Sequence, residues 1–291
     1  MPLSSRRPIE QVVDGARTSR RDTLAVEEPL EIRVVPKGGE PVQVAVTMRT
    51  PGADFELAAG FLYGEGLIQG PAAVESIRYC LDATRDGPQE YNVVSVHLAA
   101  GVAFDAAGLR RNFYVSSSCG VCGKASIEAV MAPAGGAVRG ALRVESATLL
   151  GLPSRLRSAQ GLFERTGGVH AAGLFTAAGT LVRVREDVGR HNALDKVVGA
   201  SLLAGEVPLG GRILLVSGRL SFELVQKAVR AGAEVLAGVS APSSLAAELA
   251  EASGLTLVGF LRDSGFNIYT GGERIVADAA PRAAGPTEGE A

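Results

Sequence analysis

The sequence predicts an α/β protein in two parts, a smaller N-terminal α+β domain and a C-terminal three-layer α/β domain. Beyond about residue 145, strands alternate with amphipathic helices, and strands such as "RILLVSG" and "LTLVGFLR" are nearly continuous apolar runs. Such runs are typical of sheets covered by helices on both faces. The predicted boundaries are a flexible N-terminus over 1–22, domains over 23–145 and 146–278, and a disordered tail over 279–291.

The N-terminal part reads mainly as strands. The segments "LEIRVVP" and "PVQVAVTMRT" flank a Gly-Gly turn and predict an antiparallel hairpin. Asp54 follows and is predicted to cap a helix over "DFELAAGFLYG". The segment "NVVSVHLAA" predicts a further strand. These elements together predict the α+β half.

The C-terminal part alternates regularly. The segment "VHAAGLFTAAGTLVRVRED" predicts a hairpin, preceded by helix that ends at Gly167-Gly168. Helices are then predicted in "NALDKVVGASLLAG", "SFELVQKAVRAG" and "PSSLAAELAEASG", separated by the strands "RILLVSG" and "EVLAGVS". The strands "LTLVGFLR" and "FNIYTG" end the domain.

Composition excludes several classes of protein. The chain of 291 residues is 46% hydrophobic and 21% charged, as a globular protein is, and its net charge of −2 offers no basic field for nucleic acid or an anionic membrane. There is no apolar run long enough to cross a membrane, and no apolar run follows the N-terminal arginines as in a secretory signal. Three cysteines are too few for an exported disulfide scaffold. We therefore expect a cytoplasmic protein with reduced thiols.

The cysteine pair in "SSSCGVCGK" is the first candidate site. Cys119 and Cys122 lie on a Gly-rich turn between a predicted strand and the predicted helix "KASIEAVMA". A helix N-terminus and the neighbouring Lys124 lower the pKa of a thiol and favour the thiolate. By itself the pair fits half of a metal site, a redox couple or a sulfur carrier.

Three predicted strands end in polar loops, and in open α/β sheets ligands bind beyond the carboxyl ends of the strands. These loops are "VSGRLS", "VSAPSS" and "FLRDSG". The first two also open helices, whose free N–H groups attract anions. Their candidate binding residues are Ser217, Gly218, Arg219 and Ser240. Ordinary helix capping by Ser and Gly is the alternative explanation.

The densest polar run is "REDVGRHNALDKVVG", at the start of a predicted helix. Arg190 and His191 are its candidate ligand-binding residues, because guanidinium and imidazole groups bind phosphate, ribose or base, or move protons. A solvated helix start with i,i+4 charge pairs explains the same pattern without a ligand.

Several segments occur together and in one order: "CGVCG", "TGGVHAAGLF", "REDVGRHNALDKVVG", "VSGRLSFELVQKA", "SAPSSLAAELAE" and "LTLVGFLRDSGFNIYTGGERI". In these segments the chain resembles the formate dehydrogenase accessory sulfurtransferases, the FdhD family. The resemblance implies a C-terminal domain similar to the cytidine deaminase fold, and a homodimer. The segment "EDVGRHNALDKV" is its most specific part, since a CxxC pair alone is weak.

The resemblance also implies a function, that of a sulfurtransferase. Such a protein takes persulfide sulfur from a cysteine desulfurase and passes it to the molybdenum cofactor, as bis-molybdopterin guanine dinucleotide, for activation of formate dehydrogenase. Carried over to this sequence, Cys119 is the persulfide intermediate and Cys122 its partner, with no metal expected. The cofactor is expected at Phe260, Leu261, Arg262, Asp263, Ser264 and Gly265, together with the strand-end and helix residues named above.

Other functions fit parts of the sequence. A zinc deaminase needs H-x-E followed by P-C-x-x-C, whereas His170 is followed by two alanines and the CxxC lies upstream. A structural zinc site needs four ligands; the CxxC supplies two, and His97, Cys80 or a symmetry-related CxxC would complete it. A thioredoxin-like redox function lacks the βαβ continuation. The alternative kept is a zinc-binding or cofactor-holding chaperone without sulfur transfer.

Overall fold

The computed structural model of the chain describes residues 1–80, 91–104 and 138–276. The Cys119–Cys122 loop, the helix predicted after it and the tail predicted over 279–291 lie outside the described residues. The strands are β1 (Ser4–Val13), β2 (Ala16–Ala25), β3 (Glu28–Val35), β4 (Val42–Arg49), β5 (Val74–Tyr79), β6 (Val93–Leu98), β7 (Val144–Glu145), β8 (His170–Thr176), β9 (Leu181–Asp187), β10 (Arg212–Val216), β11 (Val235–Gly238), β12 (Thr256–Arg262), β13 (Gly265–Thr270) and β14 (Ile275–Val276). The helices are α1 (Asp54–Gly64), α2 (Ser146–Leu150), α3 (Leu152–Ser158), α4 (Gly161–Thr166), α5 (Arg190–Leu203), α6 (Phe222–Arg230) and α7 (Ser244–Ser253).

The N-terminal sheet has the strand order β4-β3-β6-β5. Its β3–β4 pair is the predicted hairpin, and β3 pairs in parallel with β6. Along β3, Leu30, Ile32 and Val34 alternate as fully buried residues, because successive side chains of a strand point to opposite faces. This buried face packs against α1 in one apolar cluster.

The C-terminal sheet has the strand order β13-β12-β11-β10-β8-β9. Its centre, β10 to β12, is parallel, and antiparallel strands lie on both sides. Helices α5, α6 and α7 share an apolar cluster with one face, and α2 and α3 share another with the opposite face. Both parts of the predicted fold class, a three-layer α/β part and a smaller α+β part, are confirmed.

Helices α1 and α5 cross at two glycines, and this contact joins the two parts. A Cβ atom at Gly60 would lie 1.9 Å from the carbonyl oxygen of Asp195, and one at Gly199 would lie 1.8 Å from that of Glu56. No side chain fits at either position, so the two backbones touch directly. A single apolar cluster then runs from the N-terminal sheet through α1 and α5 to the C-terminal sheet.

The first residues of the chain form a hairpin instead of an irregular segment. Strands β1 and β2 pair antiparallel along their whole length, and Asp14 (φ 49°) and Gly15 (φ 80°) form the turn between them. Two consecutive positive φ angles are the geometry that an Asp-Gly hairpin turn favours. The signal for the turn is therefore in the sequence, but the polar flanks conceal it, since 15 of the 22 residues of the hairpin are exposed and none is buried.

The predicted cap of α1 is corrected by a buried ion pair. The Asp54 carboxylate accepts hydrogen bonds from Arg49 Nε at 3.1 Å and Nη2 at 3.0 Å, and from the Tyr79 hydroxyl at 3.1 Å. No side chain caps α1, whose N-cap residue is Ala53. Arg49 is fully buried. Burying a guanidinium without a carboxylate costs more free energy than leaving a helix end uncapped, so Asp54 binds Arg49. Burial and the Asp54 carboxylate raise the pKa of Tyr79 to about 12.

Replacing the crossing glycine tests how much the fold depends on this contact. Gly60→Ala forces the two backbones apart, and we expect a loss of about 3 kcal/mol in the free energy of unfolding, the upper range for overpacking a core. Urea denaturation followed by circular dichroism measures it. The matched control is Gly210→Ala, where a Cβ meets nothing within 4 Å; we expect a change below about 0.5 kcal/mol. Equal effects at both positions would contradict the tight crossing.

Candidate functional site

A cleft of about 700 Å³ opens where β10, β11 and β12 end. Ser217, Val239 and Asp263 follow these three strands and line it. Because the strands are parallel, their carboxyl ends meet at one edge of the sheet, which is where ligands bind in α/β folds. The structure therefore brings all three predicted loops to one cavity, "VSGRLS" through Ser217, "VSAPSS" through Val239 and "FLRDSG" through Asp263.

The opposite wall of the cleft comes from α3, α4 and the turn after α4. This wall is lined by Pro153, Ser154, Leu156, Arg157, Ser158, Gln160, Phe163, Gly167 and Gly168. The guanidinium carbon of Arg157 lies 4.1 Å from the centre of the Phe163 ring, a cation–π distance. The cleft thus combines a cation, an aromatic ring, hydroxyl groups and the Asp263 carboxylate.

The wall residues were not among the predicted site residues. The segment "GLFERTGG" is the sequence feature that could have indicated this wall, because a short helix ends there at two glycines just before the hairpin. Gly167 adopts φ 63° as the C-cap of α4. The sequence could not show that α4 lies over the sheet edge, since this placement depends on a contact from β9: the Glu186 carboxylate accepts hydrogen bonds from the N–H groups of Leu162 at 2.9 Å and Phe163 at 2.7 Å.

Ser217 and His170 line the floor of the cleft, and two further predicted residues, Gly218 and Arg190, lie close to His170 without lining it. The Ser217 hydroxyl accepts a hydrogen bond from the Ala171 N–H at 2.9 Å. A Cβ at Gly218 would lie 3.4 Å from His170 Nδ1 and 3.5 Å from Arg190 Cδ. Because glycine has no side chain, both the His170 imidazole and the Arg190 side chain can lie close to this position. The Nε atom of Arg190 is buried without a hydrogen-bond partner among the described residues.

The imidazole of His170 is held in its neutral form. Burial lowers its pKa below the ordinary 6.5, and the positive charges of Arg190 and His191 lower it further, against a smaller opposite effect of Asp187. A neutral imidazole offers one donor and one acceptor nitrogen. The cleft therefore presents a group that can hydrogen-bond a ligand in both directions at neutral pH.

His191, in the first turn of α5, lies one step away from the cleft and contacts the start of α6. Its Nε2 atom is 3.1 Å from the Ser221 hydroxyl and 3.0 Å from the Glu223 carboxylate. The hydrogen bond from His191 lowers the pKa of Glu223. His191 does not occur among the residues that line the cleft, so it belongs to the surroundings of the site and not to its wall.

The segment from Phe260 to Gly265 contributes unequally. Phe260 is 45% exposed and has φ 52°, held by its N–H bonding the Ser240 carbonyl at 3.2 Å. The Leu261 side chain is fully buried in the apolar cluster beneath the sheet. Arg262 bonds the carbonyls of Val239 and Leu261. Only Asp263 of the segment lines the cleft.

The remaining predicted residues lie at the rim or nearby. Ser264 is exposed in the turn before β13, and Gly265 begins that strand in open space. Arg219 is exposed beyond Gly218. Ser240 holds the backbone of Phe260 through its carbonyl, and its side chain is not among those that line the cleft.

Half of the polar run "EDVGRHNALDKV" forms buried ion pairs and hydrogen bonds between elements of the fold and is not a ligand site. Lys196 Nζ lies 2.6 Å from the Asp187 carboxylate and donates to the Thr50 carbonyl at 2.8 Å. Asp187 also accepts from the Thr50 N–H at 3.1 Å, and the Asn192 amide donates to the Met48 carbonyl at 2.8 Å. These groups tie the end of β4 to the start of α5. Neither prediction for this run, ligand binding or a solvated helix start, describes them.

A second buried ion pair, between α5 and α6, adds to these contacts. Lys227 of α6 lies 2.9 Å from the Asp195 carboxylate and 3.1 Å from that of Glu65. Burial disfavours its ammonium form, but the two carboxylates outweigh this and raise the pKa of Lys227. Removing one partner of such a pair leaves an uncompensated buried charge, which typically destabilises a protein by about 3–5 kcal/mol. The polar motif therefore fixes α1, α5 and α6 relative to one another.

The comparisons with known proteins agree with this architecture. The family model of the FdhD/NarQ family matches residues 25–276. A relative from Streptomyces avermitilis, named sulfur carrier protein FdhD, is 55% identical and covers 96% of this chain and 98% of its own length.

The chain belongs to the FdhD/NarQ family.

Family members from distant organisms retain the similarity. A protein from Sulfolobus acidocaldarius, also named sulfur carrier protein FdhD, is 43% identical over 92% of this chain and 96% of its own length. A crystal structure from Desulfotalea psychrophila, of a protein provisionally assigned as a formate dehydrogenase accessory protein, matches with a TM-score of 0.71 and 26% identity. It covers 94% of this chain and 100% of that chain. The predicted resemblance is confirmed.

Within residues 1–80, 91–104 and 138–276, no three His, Cys, Asp or Glu side chains are grouped so that they could hold a metal ion. The Cys119–Cys122 pair lies outside these ranges, and the proposed four-cysteine zinc site stays untested. None of the helices in the described ranges is both long and apolar enough to cross a membrane.

The pKa of His170 gives a prediction with a defined sign. Because the folded-state pKa lies below the unfolded value near 6.5, the unfolded chain binds the proton first, and stability falls as the pH drops below 6.5. NMR titration of the His170 ring protons measures the pKa directly. Arg190→Gln should raise it part of the way, since burial is the larger cause. The control Arg219→Gln, an exposed residue outside these causes, should leave it unchanged; an unshifted pKa in the Arg190 variant would contradict the assigned geometry.

Proposed function

We propose that this protein is a sulfur carrier that receives persulfide sulfur on Cys119 and passes it to a molybdenum cofactor held in the cleft. The observation that carries the proposal is the match over nearly the whole length to family members named sulfur carrier proteins. The cleft at the strand ends supports it independently, because it supplies a place for a large polar acceptor. The proposal makes the protein a sulfurtransferase in the cytoplasm.

The first step is a thiolate attack on a persulfide. The Cys119 thiolate attacks the outer sulfur of a cysteine desulfurase persulfide, and a new S–S bond forms on Cys119. The S–S bond of the donor breaks, and the donor cysteine leaves as a thiolate. No oxidant is consumed, since the sulfane sulfur moves between two thiols at the same oxidation level.

Release of the sulfur can use the second cysteine. The Cys122 thiolate attacks the inner sulfur of the Cys119 persulfide, a disulfide forms, and hydrosulfide leaves toward the acceptor. A cellular dithiol reductant must then reopen the disulfide. Cys122 is in this proposal an assistant that speeds release, whereas Cys119 is the carrier itself.

The acceptor is the bis-molybdopterin guanine dinucleotide form of the molybdenum cofactor. Ligand pockets usually measure about 300–1,000 Å³, so a cleft of about 700 Å³ accommodates one guanine dinucleotide arm and leaves the rest outside. The Asp263 carboxylate can accept from the guanine N1–H and amino groups, and the Phe163 ring offers a stacking face. Arg157, with His170 beside it, supplies donors for phosphate oxygens.

The proposed partners follow from this chemistry. A cysteine desulfurase supplies the sulfur, and formate dehydrogenase receives the sulfurated cofactor. In the proposal the protein works as a homodimer. Arg190, close to the floor of the cleft, adds positive charge that attracts the pyrophosphate groups of the acceptor.

Mass spectrometry of the Cys119 peptide tests the carrier role. After incubation with the desulfurase and L-cysteine, we expect this peptide to gain the mass of one sulfur atom, and a reducing agent to remove it. Cys119→Ala should abolish both the label and formate dehydrogenase activation in cells. Cys122→Ala should keep the label and slow its release. An unlabelled Cys119 would favour the alternative, a chaperone that holds the cofactor without sulfur transfer.

Nucleotide binding tests the acceptor site. GDP is a small probe for one arm of the cofactor, and we expect Asp263→Ala to weaken its binding at least about tenfold, because a charge-assisted hydrogen bond contributes about 1.5–3 kcal/mol. Isothermal titration calorimetry with GDP and ADP measures both affinity and base preference. Glu251→Ala, an exposed carboxylate on α7 that does not line the cleft, is the control. Unchanged GDP affinity in the Asp263 variant would show that the guanine base does not bind in the cleft.

A further inference from the structure

The β1–β2 hairpin, residues 4–25, is an exposed arm whose charges the proposed function does not use. Its strands have ten residues each, so the arm reaches about 30 Å from base to tip. A two-stranded hairpin is marginally stable by itself in water. The Val12 and Val13 side chains at its tip are 61% and 55% exposed. An element that exposes apolar tips at this distance from the core contributes little to folding.

The arm carries a local net charge of +2 in a protein whose net charge is −2. Its five arginines, all exposed, outnumber its three acidic residues. The arginines are Arg6, Arg7, Arg17, Arg20 and Arg21. Only two of them have a carboxylate within ion-pair distance in the described parts of the chain, Arg17 with Glu10 at 3.3 Å and Arg20 with Asp22 at 3.5 Å.

The register places three of these arginines on one face. Arg6 pairs with Thr23, Pro8 with Arg21 and Val12 with Arg17, and directly opposed residues of an antiparallel pair share a face. Arg6, Arg21 and Arg17 therefore form a row along one side of the arm that ends beside Val12. Arginine combined with apolar side chains is the composition of protein-binding surfaces.

The base of the arm stands next to the cleft. The Val26 N–H donates to the Leu3 carbonyl at 3.0 Å and closes the base, and β2 contacts α4. Helix α4 carries Phe163 and precedes the glycines that line the cleft. A protein that grips the arm is thus held beside the opening through which a ligand of the cleft enters and leaves.

We infer that the arm docks onto an acidic surface of the enzyme that receives the cofactor from the cleft. This inference rests on the proposed function, in which that enzyme is formate dehydrogenase. Among the described residues Arg6 and Arg21 of the row have no carboxylate within ion-pair distance, whereas Arg17 is paired with Glu10. Exposed guanidinium groups of this kind select a carboxylate-rich surface, and such pairing mainly accelerates association. Two copies of this chain that met arm against arm would oppose like charges, which disfavours the symmetric alternative.

Charge reversal on the row tests the docking. The variant Arg6→Glu/Arg17→Glu/Arg21→Glu should bind purified apo formate dehydrogenase at least about tenfold more weakly than the unaltered chain at low salt. The difference should shrink as salt rises, because exposed charges are screened. Surface biosensing measures the rates. The charge-preserving variant with Lys at the same three positions should keep most of the affinity.

Matched controls separate the arm from general charge and from sulfur transfer. Arg78→Glu/Arg139→Glu/Arg143→Glu makes the same charge change at exposed positions of the body and should bind like the unaltered chain. Cys119→Ala should bind normally while it fails to transfer sulfur, so that loss of docking and loss of the carrier role are told apart. Thermal melting verifies that each variant is folded.

Three outcomes would overturn the inference. Unchanged affinity for apo formate dehydrogenase in the arm variant would show that the row is not used. Weaker binding to the desulfurase alone would assign the arm to the sulfur donor. An altered oligomeric state in analytical ultracentrifugation would make the arm a contact between copies of this chain.

Discussion

The direct backbone contact between α1 and α5 is the constraint on which the rest of the structure depends. Where carbonyl groups of one helix touch glycines of the other, at Gly60 and Gly199, the helix separation is fixed by atoms that cannot adjust. Side-chain contacts tolerate small shifts through new rotamers, whereas backbone against backbone does not. The N-terminal sheet, which packs on α1, thereby acquires a fixed position relative to the C-terminal sheet and its cleft.

The buried ion pairs around this crossing explain why so many charged residues gather at the start of α5. Asp187, Lys196 and Asp195 are inside the protein, where charged groups are tolerated only with partners in good geometry. The Lys227–Asp195 pair links α6 to α5, and Lys196 joins Asp187 and the Thr50 carbonyl to α5, so a shifted register of α5 would break both at once. We attribute to these buried ion pairs the specificity of the packing of α5 more than the stability of the protein. The ligand-facing share of the motif is correspondingly small, with Arg190 nearest to the cleft.

The sequence predicted the elements and the edge of the sheet that carries the cleft, because both depend on local patterns. The apolar runs of β10 to β12 and the loops after them give Ser217 and Asp263 directly. It could not predict contacts chosen by tertiary structure. Asp54 follows helix-capping rules locally but binds Arg49 because that guanidinium is buried, and Leu261 lies in a polar segment yet points into the core. Phe163 was missed because the Glu186 contact that positions α4 cannot be read from the sequence. Arg157 was missed because its place on α3 next to the Phe163 ring is likewise a tertiary contact.

Strand β9 contacts both the wall of the cleft and the end of β4. Its neighbours Glu186 and Asp187 point to opposite faces, as successive residues of a strand must. Glu186 holds the N-terminus of α4, and Asp187 holds the backbone at Thr50. A displacement of the backbone at the end of β4 therefore reaches the wall of the cleft through the peptide bond that joins Glu186 and Asp187. Substitutions in the N-terminal sheet can change the width of the cleft without touching it.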